Sequence, residues 1–150
     1  MIKIIFSLTI FVYCFTCSLS GQNKFSFENY SFLKIVPEIS DKYKDRNEIV
    51  LLKDERSEVV IEDKTTYLYE LSHLVIFVNS DEAIERNNRV YITDASESEI
   101  LNNQCRVLLP DGKIVDIDEK DIHEEKDEQK GHITKYYAVK GLIKGAKVER

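Results

Sequence analysis

Cys105 and the three histidines, His73, His123 and His132, carry most of the reactive chemistry in this chain. A thiol enzyme needs a cysteine, a histidine within hydrogen-bond reach and a third group that orients the ring. Cys105 lies in residues 103–109, where Cys105, Val107 and Leu109 alternate with Gln104 and Arg106. A free cysteine on the apolar face of a strand behaves as a small core residue, and burial raises its pKa and makes it inert. The pattern therefore predicts an inert thiol. His73 falls on the apolar face of a long strand, which predicts a hydrogen-bonded core or edge histidine. His123, Glu124, Asp127 and His132 have metal-ligating types, but nothing resembles His-Glu-x-x-His or a paired-cysteine spacing. No catalytic, cofactor-binding or metal residue is assigned from the sequence, and no cofactor is expected.

The chain has 21 basic and 27 acidic side chains, a net charge of −6. The acids cluster in residues 116–128, which read as a solvated loop. A calcium loop needs oxygen ligands at alternating positions around a turn glycine, and Asp116, Asp118 and Asp121 do not keep that spacing. An acidic chain without a basic stripe argues against nucleic acid as a partner. There is no glycine-rich phosphate loop and no Gly-x-Ser-x-Gly.

These residues are preceded by a segment with the features of an export signal. Lys3 gives a positive start, residues 4–15 are almost wholly apolar, and Ser18-Leu19-Ser20 places small residues for a cut after Ser20 or Gly21. The run is short for a membrane span, which needs roughly 20 apolar residues. The expectation is a signal-peptide helix over 1–21, an extracytoplasmic location (periplasmic or secreted), and no membrane span after cleavage. Cleavage removes Cys14 and Cys17, so Cys105 is left without a disulfide partner. The bulky residues Tyr13-Cys14-Phe15 before Cys17 argue against lipidation. Removing Lys3 with the signal leaves 20 basic against 27 acidic side chains, a net −7.

Residues 22–46 form a polar and aromatic lead-in, whose Phe25, Phe27, Tyr30 and Phe32 suit docking as an edge strand or a mobile arm. From 47 to 150 the pattern is β. Apolar runs occur at 49–52 and 59–61, and Glu62-Asp63-Lys64 is a turn. Thr65–Val78 is the strongest element, with Tyr67, Tyr69, Leu71, His73, Val75 and Phe77 on one face. Leu74 and Ile76 make the second face apolar too, so the end of this strand is expected to be covered on both sides. A helical turn is expected near 82–86 and strands at 89–93 and 103–109. Pro110-Asp111-Gly112 is a turn, because proline presets φ, aspartate bonds its own backbone and glycine accepts positive φ. A return strand at 113–117, a helical turn at 118–122 and a strand at 133–140 follow. Gly141 and Gly145 bracket a turn before a strand at Val148. Six to eight short strands predict an all-β, mainly antiparallel, β-sandwich-like domain.

The run from Asn47 to the end resembles a bacterial family called domain of unknown function 3857. The resemblance rests on Ile49-Val50-Leu51-Leu52-Lys53-Asp54-Glu55, on Ile76-Phe77-Val78-Asn79 and on Cys105 through Val115 with its Arg106-Val107-Leu108-Leu109-Pro110-Asp111-Gly112-Lys113 hairpin. Asp121-Ile122 and the glycine-bracketed run Val139 to Glu149 complete it. The resemblance implies a β-rich accessory module, N-terminal to a transglutaminase-like domain with a papain-type site. Because the last strand reads as just begun, the chain is expected to continue into such a domain. The expected function is a non-catalytic interaction module of an exported cell-envelope protein, with the downstream transglutaminase-like domain or an envelope protein or peptide as partner. The alternative is that this is part of a transglutaminase-like protease or amidase whose catalytic domain lies further along. A third reading is a surface protein that recruits a partner along the exposed strand near Val148.

Overall fold

The computed structural model describes residues 24–92, 99–126 and 133–150. The expected signal segment lies outside them, as do Asp127 and His132 of the candidate metal grouping. Two long strands dominate, β1 (Glu48–Glu62) and β2 (Thr65–Val78), paired antiparallel from Glu48 opposite Val78 to Glu62 opposite Thr65. The sequence suggested two separate runs at 49–52 and 59–61. They are one strand, because the charged stretch 53–58 loses the apolar signal but not its backbone ladder to β2, where Asp54 faces His73 and Arg56 faces Leu71. One extra residue between Val50 and Leu52 shifts the register, the mark of a β-bulge.

A seven-residue helix, α1 (Asp81–Asn87), starts at Ser80, whose Oγ accepts from Ala83 N–H at 3.1 Å. The remaining strands are β3 (Arg89–Ile92), β4 (Cys105–Leu108), β5 (Ile114–Ile117), β6 (Ile122–Lys126), β7 (Ile133–Ala138) and β8 (Ala146–Glu149). They make two antiparallel sheets, β1-β2-β8-β4-β5 and β3-β7-β6. The chain is thus all-β and sandwich-like. The β4–β5 hairpin closes as expected: Gly112 N–H bonds Leu109 C=O, Gly112 sits at φ 85°, and Asp111 accepts from Lys113 N–H. Gly145 is required for two reasons, its φ of 83° and a Pro110 side chain only 3.1 Å from where a Cβ would stand.

The acidic stretch 116–128 is not simply a solvated loop, and the helical turn expected at 118–122 is shorter than that. A 3-10 turn covers Glu119–Asp121, and Ile122–Lys126 then forms β6 against β7. Sequence patterning misses this edge strand because only Ile122 is apolar. Its polar side chains find partners across the sheet instead: Glu124 with Lys135, Glu125 with Arg89, and the His123 ring against Tyr136.

Ile76 and Val78 of β2, Val107 of β4 and Val148 of β8 pack with Val90 of β3 and Tyr137 of β7 in one buried cluster. Tyr137 is the largest side chain in it, and its hydroxyl donates to Asn103 C=O. Alternation sends His73, Val75 and Phe77 to the other face of β2. The lead-in covers that face rather than adding an edge strand. Phe25 and Phe27 are buried there, and Phe25 stacks on Tyr69 at 4.0 Å. The end of β2 is therefore covered on both sides, as its sequence suggested.

The β1–β2 turn holds Asp63 at φ 49° and Lys64 at φ 68°. Two successive positive φ angles define a type I′ hairpin, where Asp-Gly is the favoured pair and a side chain at the second position is strained. Lys64→Gly is therefore expected to stabilise the protein by about 0.5–1 kcal/mol. Urea unfolding measures this, and a destabilised variant would refute the turn assignment.

Candidate functional site

Four neighbouring strands of the larger sheet send polar side chains to the face under the lead-in. Asp54 of β1 lies opposite His73 of β2, Glu149 of β8 lies opposite Val75 two residues on from His73, and Arg106 of β4 lies opposite Glu149. The register thus sets Asp54, His73, Glu149 and Arg106 in a row. Glu149 has no exposed surface, and His73 has 2 %.

Each charge in the row is met. Arg106 Nε donates to Glu149 Oε2 at 2.6 Å, His73 Nε2 lies 2.9 Å from Glu149 Oε1, and Leu33 N–H donates to Oε1 at 3.2 Å. Arg106 also donates from Nη2 to Leu33 C=O at 2.8 Å, and its guanidinium lies over the Phe32 ring at 4.6 Å. Leu33 is therefore gripped through both its backbone groups. On the other side of the imidazole, Tyr30 Oη is 2.6 Å from His73 Nδ1 and 3.1 Å from Asp54 Oδ2. Arg56 closes the chain with a two-point contact to Asp54, at 2.6 and 3.0 Å.

Proton counting defines how the row is wired. The Glu149 carboxylate faces donors, so His73 carries a proton on Nε2. A neutral ring then takes the Tyr30 hydroxyl proton at Nδ1, and Asp54 keeps Arg56 as its donor. A doubly protonated ring donates from both nitrogens, and the hydroxyl proton goes to Asp54. The bonds from Arg56, then the hydroxyl, hold the Asp54 carboxyl below its ordinary value. Burial, reinforced by Asp54, pushes the Tyr30 phenol up, so it remains a neutral donor.

Cys105 is separated from this row by the sheet itself. It adjoins Arg106 on β4, so the two side chains point to opposite faces. Arg106 joins the ion network, whereas Cys105 packs in the cluster with Ile76 and Val107. Burial pushes its thiol up to about 12. Cys105 and His73 thus occupy opposite faces of one sheet. His123 stacks on Tyr136 in the other sheet, at 5.7 Å. Asp118 pairs with Lys120 and Asp121 with Lys140, so two of the three aspartates weighed for a calcium loop hold lysines. Among the described residues, no group of three or more histidine, cysteine or acidic side chains is placed to hold a metal ion.

Sequence reasoning read His73 as a hydrogen-bonded core or edge histidine but did not find Tyr30, Asp54, Arg106 or Glu149. The available signal was a lone charge inside an apolar strand, Arg106 between Cys105 and Val107, whereas Glu149 stands among the charges Lys147 and Arg150 and carries no such mark. The fold and site together define an all-β, two-sheet protein braced by a buried ion network. No family model, no curated protein and no solved structure matches the chain.

Glu149 is fully buried and Arg106 is only 14 % exposed at its side chain, so removing Arg106 takes the cation from a buried carboxylate and leaves it His73 and the Leu33 amide. Arg106→Met is expected to cost about 3–5 kcal/mol in urea unfolding, and adding Glu149→Gln to it should recover part of that loss. A single-variant loss below about 1 kcal/mol would contradict the buried pair. For Cys105 the neutral thiol is the stable folded form. The contribution of Cys105 to stability is full below about pH 9 and is lost as pH climbs toward 12. Iodoacetamide at pH 8 should label the native thiol roughly a thousandfold more slowly than the unfolded one. Comparable rates would place the thiol outside the core.

Proposed function

We propose that the chain is a non-catalytic, β-rich interaction module of an exported bacterial cell-envelope protein, in the manner of a domain of unknown function 3857. It serves a transglutaminase-like domain further along the same protein, or an envelope protein or peptide. One observation carries the reading. The titratable groups that the fold brings together spend their hydrogen bonds on one another and on Leu33, while Cys105 faces the opposite side of the sheet. Nucleophilic catalysis needs a nucleophile within reach of its base. The buried network instead supports a bracing role, in which Glu149 and Arg106 hold the lead-in against four strands.

Export is supported by the charged start, the apolar run and the small residues of 1–21. Among the described residues no helix is long and apolar enough to cross a membrane.

Expression of the full chain in a bacterium, followed by fractionation and N-terminal sequencing, tests the compartment. The expected product is extracytoplasmic and begins at Gly21 or Gln22. The same purified protein should show no peptidase, amidase or transglutaminase turnover. Turnover that Cys105→Ser abolishes would defeat the non-catalytic reading.

A further inference from the structure

Three contacts in the buried row must share a limited number of protons. Glu149 Oε1 lies 2.9 Å from His73 Nε2, His73 Nδ1 lies 2.6 Å from Tyr30 Oη, and Tyr30 Oη lies 3.1 Å from Asp54 Oδ2. Each contact needs one hydrogen between its two heavy atoms, because two bare acceptors at these distances repel. Tyr30 supplies one hydrogen, and a neutral imidazole supplies one more. With the ring hydrogen on Nε2, the hydroxyl serves Nδ1 or Asp54 but not both. With it on Nδ1, the Glu149 carboxylate meets a bare nitrogen. A doubly protonated ring completes all three bonds at once.

A hydrogen on either carboxyl satisfies the same count, but both carboxyls are already taken up by guanidinium groups. Arg106 Nε and the Leu33 amide hold Glu149, and the two contacts from Arg56 keep the Asp54 carboxyl below its ordinary value. The remaining hydrogen therefore belongs to His73. The charged groups around the ring are Asp54 and Arg56 of β1, Glu149 of β8 and Arg106 of β4. Lys147 of β8, further along the same face, pairs with Glu38 of the lead-in at 3.4 Å.

The hydroxyl that joins His73 to Asp54 belongs to the lead-in, and so does the Leu33 amide on Glu149. Lifting the lead-in breaks two of the three contacts and turns a ring that is 2 % exposed out to water. We propose that residues 24–36 are a pH-dependent strap, whose docking takes up a proton at His73 and which is released when that proton is lost. The proposal does not depend on the interaction-module reading. A ring that holds its second proton more tightly docked than undocked strengthens docking at acidic pH. That contribution is lost as pH rises through the point where the docked ring gives the proton up.

The test uses the full chain with isotope-labelled histidine. At pH 6 nuclear magnetic resonance should show two protonated nitrogens in the His73 ring, whose signals are the ones that His73→Gln removes. Hydrogen exchange at the Leu33 amide, corrected for the intrinsic rate, reports docking. Its protection should fall at least about fivefold from pH 6 to pH 8, within the limit of tenfold per pH unit for one linked proton. His73→Gln imitates the neutral ring, since its amide can donate to Glu149 and its carbonyl can accept from Tyr30. It should protect Leu33 less than the native chain at pH 6, and equally at the two pH values. Tyr30→Phe removes the hydroxyl without altering the sheet and should flatten the pH dependence as well, so the test survives if His73→Gln does not fold. Circular dichroism checks both variants. A purely structural network would lose protection by the same factor at both pH values. Native protection that stays level from pH 6 to pH 8, or a docked ring with one proton at pH 6, would overturn the proposal. A pH dependence that persists in both variants would assign the linked proton to another group and overturn it too.

Discussion

The Glu149 carboxylate is the constraint on which the rest of the molecule depends. It has no exposed surface, and an ion without water is tolerable only where donors replace the lost hydration. Those donors come from three distant parts of the chain, Arg106 on β4, His73 on β2 and the Leu33 amide. Satisfying one side chain therefore requires β2, β8 and β4 to be in their observed register. A one-residue slip of β8 would send Glu149 into the apolar cluster and Val148 out to the ion network. The charge makes the correct pairing specific as well as stable.

The same network explains how residues 24–36 of the lead-in, which form neither helix nor strand, are held in place. Its backbone bonds at Leu33 and its Tyr30 hydroxyl end on charged partners, and Phe25 and Phe27 cover the apolar part of β2. The larger sheet is consequently buried on both faces near β2's end, with the sandwich core on one side and the lead-in on the other. Polar chemistry collects on one face and the thiol on the other, and the backbone between them keeps the two apart. Further along the hairpin the cover runs out, and Val59 and Leu68, opposed across the strands, are both exposed. The brace fixes one end of a long hairpin.

Much of the strand content was legible because patterning is a local signal. The alternation in β2, the apolar positions of β4 and the Pro110-Asp111-Gly112 turn each report on a few consecutive residues. Where local signal failed, a partner strand supplied what the sequence lacked. Residues 53–58 are strand because β2 lies alongside them, and Ile122–Lys126 is strand because Lys135, Arg89 and Tyr136 receive its polar side chains. The lead-in aromatics announced that they would dock, but not whether they would add a strand or cover a face.

The sequence by itself determined the all-β class, the main turns and the burial of Cys105, since these follow from alternation, φ preferences and apolar context over short spans. Tertiary structure alone decided that Asp54, His73, Glu149 and Arg106 form one row. Glu149 and His73 are separated by 76 residues, and their contact follows from strand order and register. Neither quantity is written in any local pattern, because each is set by how all the strands share one core.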